Sequence, residues 1–200
     1  SYVYLHENLL DLTHLTYLHR NTFGTPDFAS APYQSVISDS EISITRSVIP
    51  TTLPPVWATT TGISGKNQGA RITKTSFVSP GLQLINAKFY DVTLSEEERP
   101  DQQIITAHIP TPETQTTTHY FVVHGRNFAK SDDGVTEFMH SQLMTVFAED
   151  VVGLAAQEEV LAISGDDYFE MSVATDAPGI AMRRLLKMRS DMEHMARSEI

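Results

Sequence analysis

The sequence predicts an α+β domain in which a curved antiparallel β-sheet is packed with helices. Three observations carry this reading. Between residues 35 and 125, short runs rich in β-branched residues follow one another, separated by Pro, Gly and Ser rather than by helical segments. Strands that succeed each other across short turns pair with their chain neighbours. From residue 134 to 160 the apolar residues recur at three and four, the period of an α-helix. A leucine-rich segment, Leu9, Leu10, Leu12, Leu15 and Leu18, lies near the start of the chain and needs a core to bury it.

Taken in order, residues 5–19 read as one helix, ended by Asn21, Gly24 and Pro26. Residues 20–35 are a loop with Gly24, Pro26 and Pro32 as breakers. Ser35–Ile49 reads as a strand on Val36, Ile42, Ile44 and Val48. Residues 51–70, with Pro54, Pro55 and the single Trp57, read as a long irregular, mobile segment, either surface loop or pocket wall. Arg71–Val78 and Leu82–Val92 are strands about a Ser79-Pro80-Gly81 turn. Residues 94–102 are an acidic exposed connector. Gln103–Ile109 and Thr116–Gly125 form a hairpin. The long helix of residues 134–160 follows. Asp176 reads as the N-cap of a last helix with Pro178 in its first turn and Arg183, Arg184 and Lys187 on its wet side. The whole, residues 1–200, reads as one domain.

Composition closes several functional classes. Two hundred residues bury a sizeable core. A net charge of −11 argues against nucleic acid, whose phosphates need clustered Lys and Arg. No apolar run crosses a bilayer and no signal-peptide pattern opens the chain, so no membrane partner is expected and the expected location is cytoplasmic. There is no cysteine, which excludes disulfides, thiolate zinc sites and iron–sulfur clusters within these residues.

The chemistry is concentrated at Asp11, His14 and His19. One acid and two imidazoles on a short apolar segment need partners, because burying polar groups unpaired is costly. On a helix Asp11 and His14 are neighbours at i,i+3, and His14 to His19 at i,i+5 is about 140° around. Both imidazoles reach one cation if the helix loosens at its end. The alternative is a helix with two histidines at its solvent edge. A second acidic pair, Glu149-Asp150, falls within the apolar helical run between Phe147 and Val151. It is either a third metal ligand or that helix's wet face. Two His and one carboxylate make the facial triad of non-haem Fe(II) oxygenases, which leaves positions on the metal open.

The stretch N-L-L-D-L-T-H-L-T-Y-L-H, residues 8–19, resembles the mononuclear iron motif of the Rieske non-haem iron oxygenases, in the branch of the vanillate and dicamba O-demethylase oxygenase components. Thr111-Pro112-Glu113-Thr114, Thr118-His119-Tyr120-Phe121, Arg126-Asn127-Phe128 and Glu149-Asp150 follow in the family's order. The resemblance implies a helix-grip catalytic domain with His14, His19 and Asp150 as ligands of a mononuclear Fe(II), Asp150 being favoured over Glu149. It implies Asp11 as the electron bridge to a neighbouring subunit's cluster, and Asn8 close to the iron without ligating it. His108 would meet substrate, and Asn86 is a further candidate. Ser141 stands where the dicamba branch has a pocket Trp. His119 and His124 are taken as structural, and His140 is unplaced. A Rieske [2Fe-2S] domain, with two Cys and two His ligands, is expected before residue 1. The implied reaction uses O2 and electrons from NAD(P)H, through a ferredoxin or flavin reductase, to demethylate a methoxy-aromatic acid within a homotrimer whose Asp11 lies in a surface depression facing the neighbour. Hydroxylation of a ring or alkyl carbon is the alternative reaction. A metal-free helix-grip ligand-binding protein is the alternative class, and it predicts no convergence of His14, His19 and Asp150.

Overall fold

The computed structural model describes residues 1–165 and 168–198. Six strands form one antiparallel sheet in chain order: β1 Tyr33–Ile37, β2 Ile42–Thr51, β3 Gly69–Ser79, β4 Leu82–Asp91, β5 Gln102–Pro112 and β6 Thr118–Arg126. Four helices join them: α1 Tyr2–Leu10, α2 Pro55–Thr61, α3 Asp133–Ser164 and α4 Ala177–Ser198. The α+β expectation is met, and the register places alternate residues of β3 to β6 on one inner face. Arg71, Thr73 and Thr75 of β3 share that face with Ile85, Ala87 and Phe89 of β4, Ile104, Thr106 and His108 of β5, and Tyr120, Val122 and His124 of β6. Bulges between Val48 and Thr51 and between Phe77 and Ser79 bend β2 and β3.

Three elements differ from the sequence reading. The expected helix of residues 5–19 is two pieces. Helix α1 stops at Leu10, Asp11 takes an extended backbone (φ −87°, ψ 96°), and a 3-10 turn follows at Thr13–Thr16. The Asp11 carboxylate accepts the Thr13 N–H at 2.7 Å. A short acidic side chain competes in this way with the helical ladder, and the leucine periodicity hid it. The expected strand of residues 35–49 is the hairpin β1–β2. The polar run Ser38-Asp39-Ser40 makes its turn, closed by Ser38 N–H to Glu41 O at 2.8 Å. The expected irregular segment of residues 51–70 holds α2. Pro55 opens it with φ pre-set for a helix, and Gly62 ends it at φ +79°, a left-handed conformation in which glycine carries no Cβ penalty.

Trp57 of α2 is 4 % exposed and packs in a cluster with Leu53, Val56, Ile63, Ala87, Phe89, Ile104 and Met139. Its ring lies 4.7 Å from Phe23 and 5.1 Å from Phe89. The segment is thus a packed wall and not a surface loop. Asp176 directly precedes α4, the position of an N-cap, and Pro178 falls in the first turn, as expected. Asp176 lies in a 3-10 turn, Ala174–Asp176, and accepts the Val173 N–H at 2.8 Å.

Two buried arginines fasten the segment after α1 to the sheet. Arg46 of β2 donates to Phe28 O and Ala31 O, each at 3.0 Å, and to Thr13 Oγ1 at 3.0 Å. Arg71 of β3 donates to Phe23 O at 2.6 Å and sits 4.4 Å from the Phe28 ring. Gly24 lets the chain fold back here. A Cβ on it would lie 1.9 Å from Leu15 O, so any other residue pushes the 3-10 turn out of place. Helix α3 buries Met139, Val146 and Asp150, four and seven residues apart on one narrow stripe. An aspartate on that stripe has to be met by something inside the fold.

Candidate metal centre

His14, His19 and Asp150 converge. One ligating atom of each lies within 4.8 Å of the others. The His19 Nε2 to Asp150 Oδ1 distance is 3.1 Å and the His14 Nε2 to Asp150 Oδ1 distance is 3.7 Å. The rings stand 5.0 Å apart at 70°. His19 and Asp150 are buried and His14 is partly so.

Three segments position these groups. The 3-10 turn points His14 inward because its Nδ1–H donates to the carbonyl of Asp11. His19 ends the same segment, where its carbonyl takes the Thr22 and Gly24 N–H groups at 3.0 and 2.8 Å. Its Nδ1–H donates to Glu149 Oε2 at 2.7 Å, and Glu149 also accepts from Thr22 Oγ1 at 2.9 Å. The carbonyl on His14 Nδ1 leaves that ring's Nε2 lone pair turned inward, the arrangement that prepares histidine for a metal. His19 has a carboxylate on each nitrogen, Glu149 on Nδ1 and Asp150 on Nε2, so a cation at Nε2 would take the place of a proton. Asn8 of α1 donates to Asp150 Oδ1 at 2.9 Å, which places it beside the site.

The electrostatics agree. Burial lowers the pKa of His14, against the pull of Asp150 and Asp11. Burial also lowers that of His19, but its hydrogen bonds to Asp150 and Glu149 and their charges outweigh it and raise the value overall. The carboxylates that favour a proton on His19 favour a cation at the same place. Two imidazole nitrogens and a carboxylate oxygen fit a divalent iron.

The centre opens on a cavity of about 90 Å³ lined mostly by apolar side chains, among them Leu12, Trp57, Ile85, Leu143, Val146 and Phe147. His108 and His124 line it too. His108 Nδ1 is hydrogen-bonded to the Tyr120 hydroxyl, and His124 Nδ1 meets Thr106 Oγ1 at 2.8 Å. The Nε2 atoms of both are buried and meet no hydrogen-bond partner among the described residues. Burial holds both imidazoles down at a pKa of about 4, so they are neutral near pH 7. Burial pushes the Tyr120 phenol up.

The other sequence candidates fall elsewhere. Asn86 is not at this cavity. It alternates with Ile85 and Ala87 and pairs with Ile105, which is 47 % exposed, so its side chain is on the opposite face of the sheet. The structure thus does not bring Asn86 together with the other candidates, and the reason is strand parity. The Asp11 carboxylate is 37 % exposed and lines a separate surface depression with Tyr4, Glu7, Leu18, Gln157 and Arg183. Ser141, His119 and His140 are exposed. Two residues stand closer to the site than the sequence indicates. Glu149 holds His19, and His124, taken as structural, lines the cavity. The Glu-Asp doublet was the signal for the first. For the second it was the alternation of Tyr120, Val122 and His124 along β6.

Comparison with known proteins agrees with this architecture. The chain is 24 % identical to a vanillate O-demethylase oxygenase subunit of a Pseudomonas species over 97 % of its length and 60 % of that protein's. It is 28 % identical to a toluene-4-sulfonate monooxygenase system iron-sulfur subunit of Comamonas testosteroni, covering 81 % of this chain and 48 % of that one. The chain thus spans about half to three-fifths of the relatives it matches. Its fold matches the crystal structure of dicamba monooxygenase bound to 3,6-dichlorosalicylic acid with a TM-score of 0.85 at 20 % identity, covering 97 % of this chain and 57 % of that one. With residues 1–191 matched by the model for the vanillate O-demethylase oxygenase C-terminal domain, the chain belongs to that family.

Proposed function

We propose that this chain is the catalytic domain of the oxygenase component of a Rieske-type non-haem iron monooxygenase, acting by O-demethylation on a methoxy-aromatic acid of the vanillate kind. The observation that carries the reading is the convergence of His14, His19 and Asp150 at the end of a mostly apolar cavity. Fe(II) held by those three residues would supply the activation of O2. The remaining work falls to the chain. Glu149 and the Asp11 carbonyl keep the two imidazoles aimed. Asn8 keeps Asp150 in place. Trp57, Phe147 and their neighbours exclude water from the ring of the substrate. His108 faces its acid group with an N–H.

The overall reaction would take the methoxy-aromatic acid, O2, two electrons and two protons to a hemiacetal and water. The hemiacetal then collapses to a phenol and formaldehyde. NAD(P)H would supply the electrons through a ferredoxin or flavin reductase and a [2Fe-2S] Rieske domain on the N-terminal side. In a homotrimer that cluster would arrive from the neighbouring subunit at the depression where Asp11 is half exposed, with Asp11 as the bridge. The use of NAD(P)H argues for the cytoplasm. Among the described residues no helix is long and apolar enough to cross a membrane.

The test is anaerobic reconstitution of the full-length protein with Fe(II), then O2 uptake with vanillate, reductase and NADH. One mononuclear iron per chain and formaldehyde equal to the O2 consumed are expected. A protein that holds no iron at this site ends the proposal. Iron and O2 uptake with a hydroxymethyl product from toluene-4-sulfonate, and no formaldehyde from vanillate, would favour alkyl hydroxylation, which the resemblance to the sulfonate relative motivates.

A further inference from the structure

His124 is the feature of the cavity that the proposed reaction leaves without a task. Its Nδ1 is engaged by Thr106 Oγ1 at 2.8 Å, its ring lines the cavity, and its Nε2 is buried without a hydrogen-bond partner. His108 repeats the pattern, with Tyr120 on Nδ1 and a buried, unpartnered Nε2. Buried polar atoms are nearly always hydrogen-bonded, and an exception needs an explanation. Another histidine of the same protein shows the usual case. His6 is fully buried and uses both nitrogens, Nδ1 on Gln83 Oε1 at 2.8 Å and Nε2 on the Pro80 carbonyl at 3.0 Å.

The hydroxyl on each Nδ1 sets the chemistry. A hydroxyl that donates to Nδ1 leaves the imidazole proton on Nε2. With both hydroxyls donating, two N–H donors stand on the cavity wall with no acceptor among the described residues. The register fixes their relation. Thr106 pairs with His124 and His108 pairs with Val122, so the two imidazoles are diagonal neighbours on the inner face of β5 and β6. Such neighbours have backbones about 7–8 Å apart, close enough for the ring tips to reach two oxygens of one group.

We propose that His124 and His108 together form a two-donor clamp for an oxyanion, a carboxylate or sulfonate, borne by a single-ring aromatic, and that His124 is a specificity residue for that group. This rests on the reading of the cavity as the substrate site and adds the contact that selects anionic over neutral aromatics. Two neutral donors suit this task. They give the anion hydrogen bonds in a dry site without burying a second full charge beside the cationic metal centre. A hydrogen bond to a charged group is the stronger kind.

The test is calorimetric titration of the Fe(II)-loaded full-length protein, without O2, with benzoate, benzenesulfonate and anisole as probes. The wild type should bind one of the two anions, and whichever is tighter identifies the oxyanion. His124→Phe should weaken that anion about tenfold to a hundredfold and leave anisole within about threefold. His124→Gln, which keeps an N–H in a similar place, should recover most of the loss. Thr106→Val leaves the ring but frees its tautomer, and should cost a smaller factor, which keeps the proposal testable should His124→Phe not fold. Iron content measured on the same samples reports separately on the metal centre, so lost anion affinity at full iron belongs to the clamp. Unchanged anion affinity in His124→Phe and Thr106→Val would overturn the role of His124 and leave the proposed reaction standing. Tight anisole binding with no binding of either anion would overturn the clamp altogether.

Discussion

The two ends of the cavity use the same side chain for opposite purposes. At the proposed metal end, His14 and His19 give their Nδ1–H to a carbonyl and a carboxylate, which leaves Nε2 to face Asp150 and a cation. At the sheet end, His108 and His124 have hydroxyls on Nδ1, and in the proposed clamp Nε2 carries the N–H. Carbonyls and carboxylates only accept and so hold the proton on Nδ1, whereas a hydroxyl can also donate and so permits the proton on Nε2. The difference teaches that the second atom out carries the function. A histidine in this cavity is an electron-pair donor or a proton donor according to a neighbour that never touches the ligand.

The largest expected effect comes from taking away the acid of the proposed metal site. Asp150→Ala should reduce bound iron to less than about a tenth of wild type and abolish turnover, read by metal analysis after anaerobic loading. If iron stays stoichiometric, the metal end is misassigned. Glu149→Gln tests the atom behind His19. It should weaken metal affinity about ten- to a hundredfold, measured by competition with a chelator. Unchanged affinity would mean that packing alone orients His19. Asp11→Asn keeps the backbone carbonyl that holds His14, so iron content should be nearly intact while coupled turnover slows severely. Loss of iron on that change would count against its side chain as an electron bridge.

A smaller effect separates the sheet end by pH. His108 and His124 are held at about 4 in the folded state against an ordinary 6.5. Between those values the unfolded chain binds more protons, so stability rises with pH. The contribution is fully present above about pH 6.5 and is lost as pH falls toward 4, at about 3 kcal/mol for each group at most. Urea unfolding of metal-free protein across this range should show that slope, and the double variant His108→Phe/His124→Phe should flatten it. An unchanged slope would show that the two rings are solvated rather than dry.

Much of this was legible in the sequence because it depends on order and period. Turn residues spaced between β-branched runs place β3 to β6 to within three residues at each end, since pairing of chain neighbours needs no distant information. The period of three and four over residues 134–160 places α3, and an aspartate on its apolar side marks Asp150. Where local signals compete, the reading failed. The leucines of residues 9–18 argue for one helix, and the Asp11 carboxylate breaks it by capturing the Thr13 N–H. The prolines before Trp57 argue for irregular chain, and they open α2 instead.

What the sequence by itself determined is which residue types are available and which face of each element they occupy: His14 and His19 on one short segment, Asp150 on the buried stripe of α3, His108 and His124 on alternating strands. Tertiary structure alone decided what lies behind each ring. Glu149 reaches His19 across 130 residues, and the sheet register brings Thr106 to His124 and Tyr120 to His108. Composition and periodicity report how a residue is oriented toward water. They carry no information about which distant atom meets Nδ1, and for an imidazole that one hydrogen bond chooses between a lone pair and a proton.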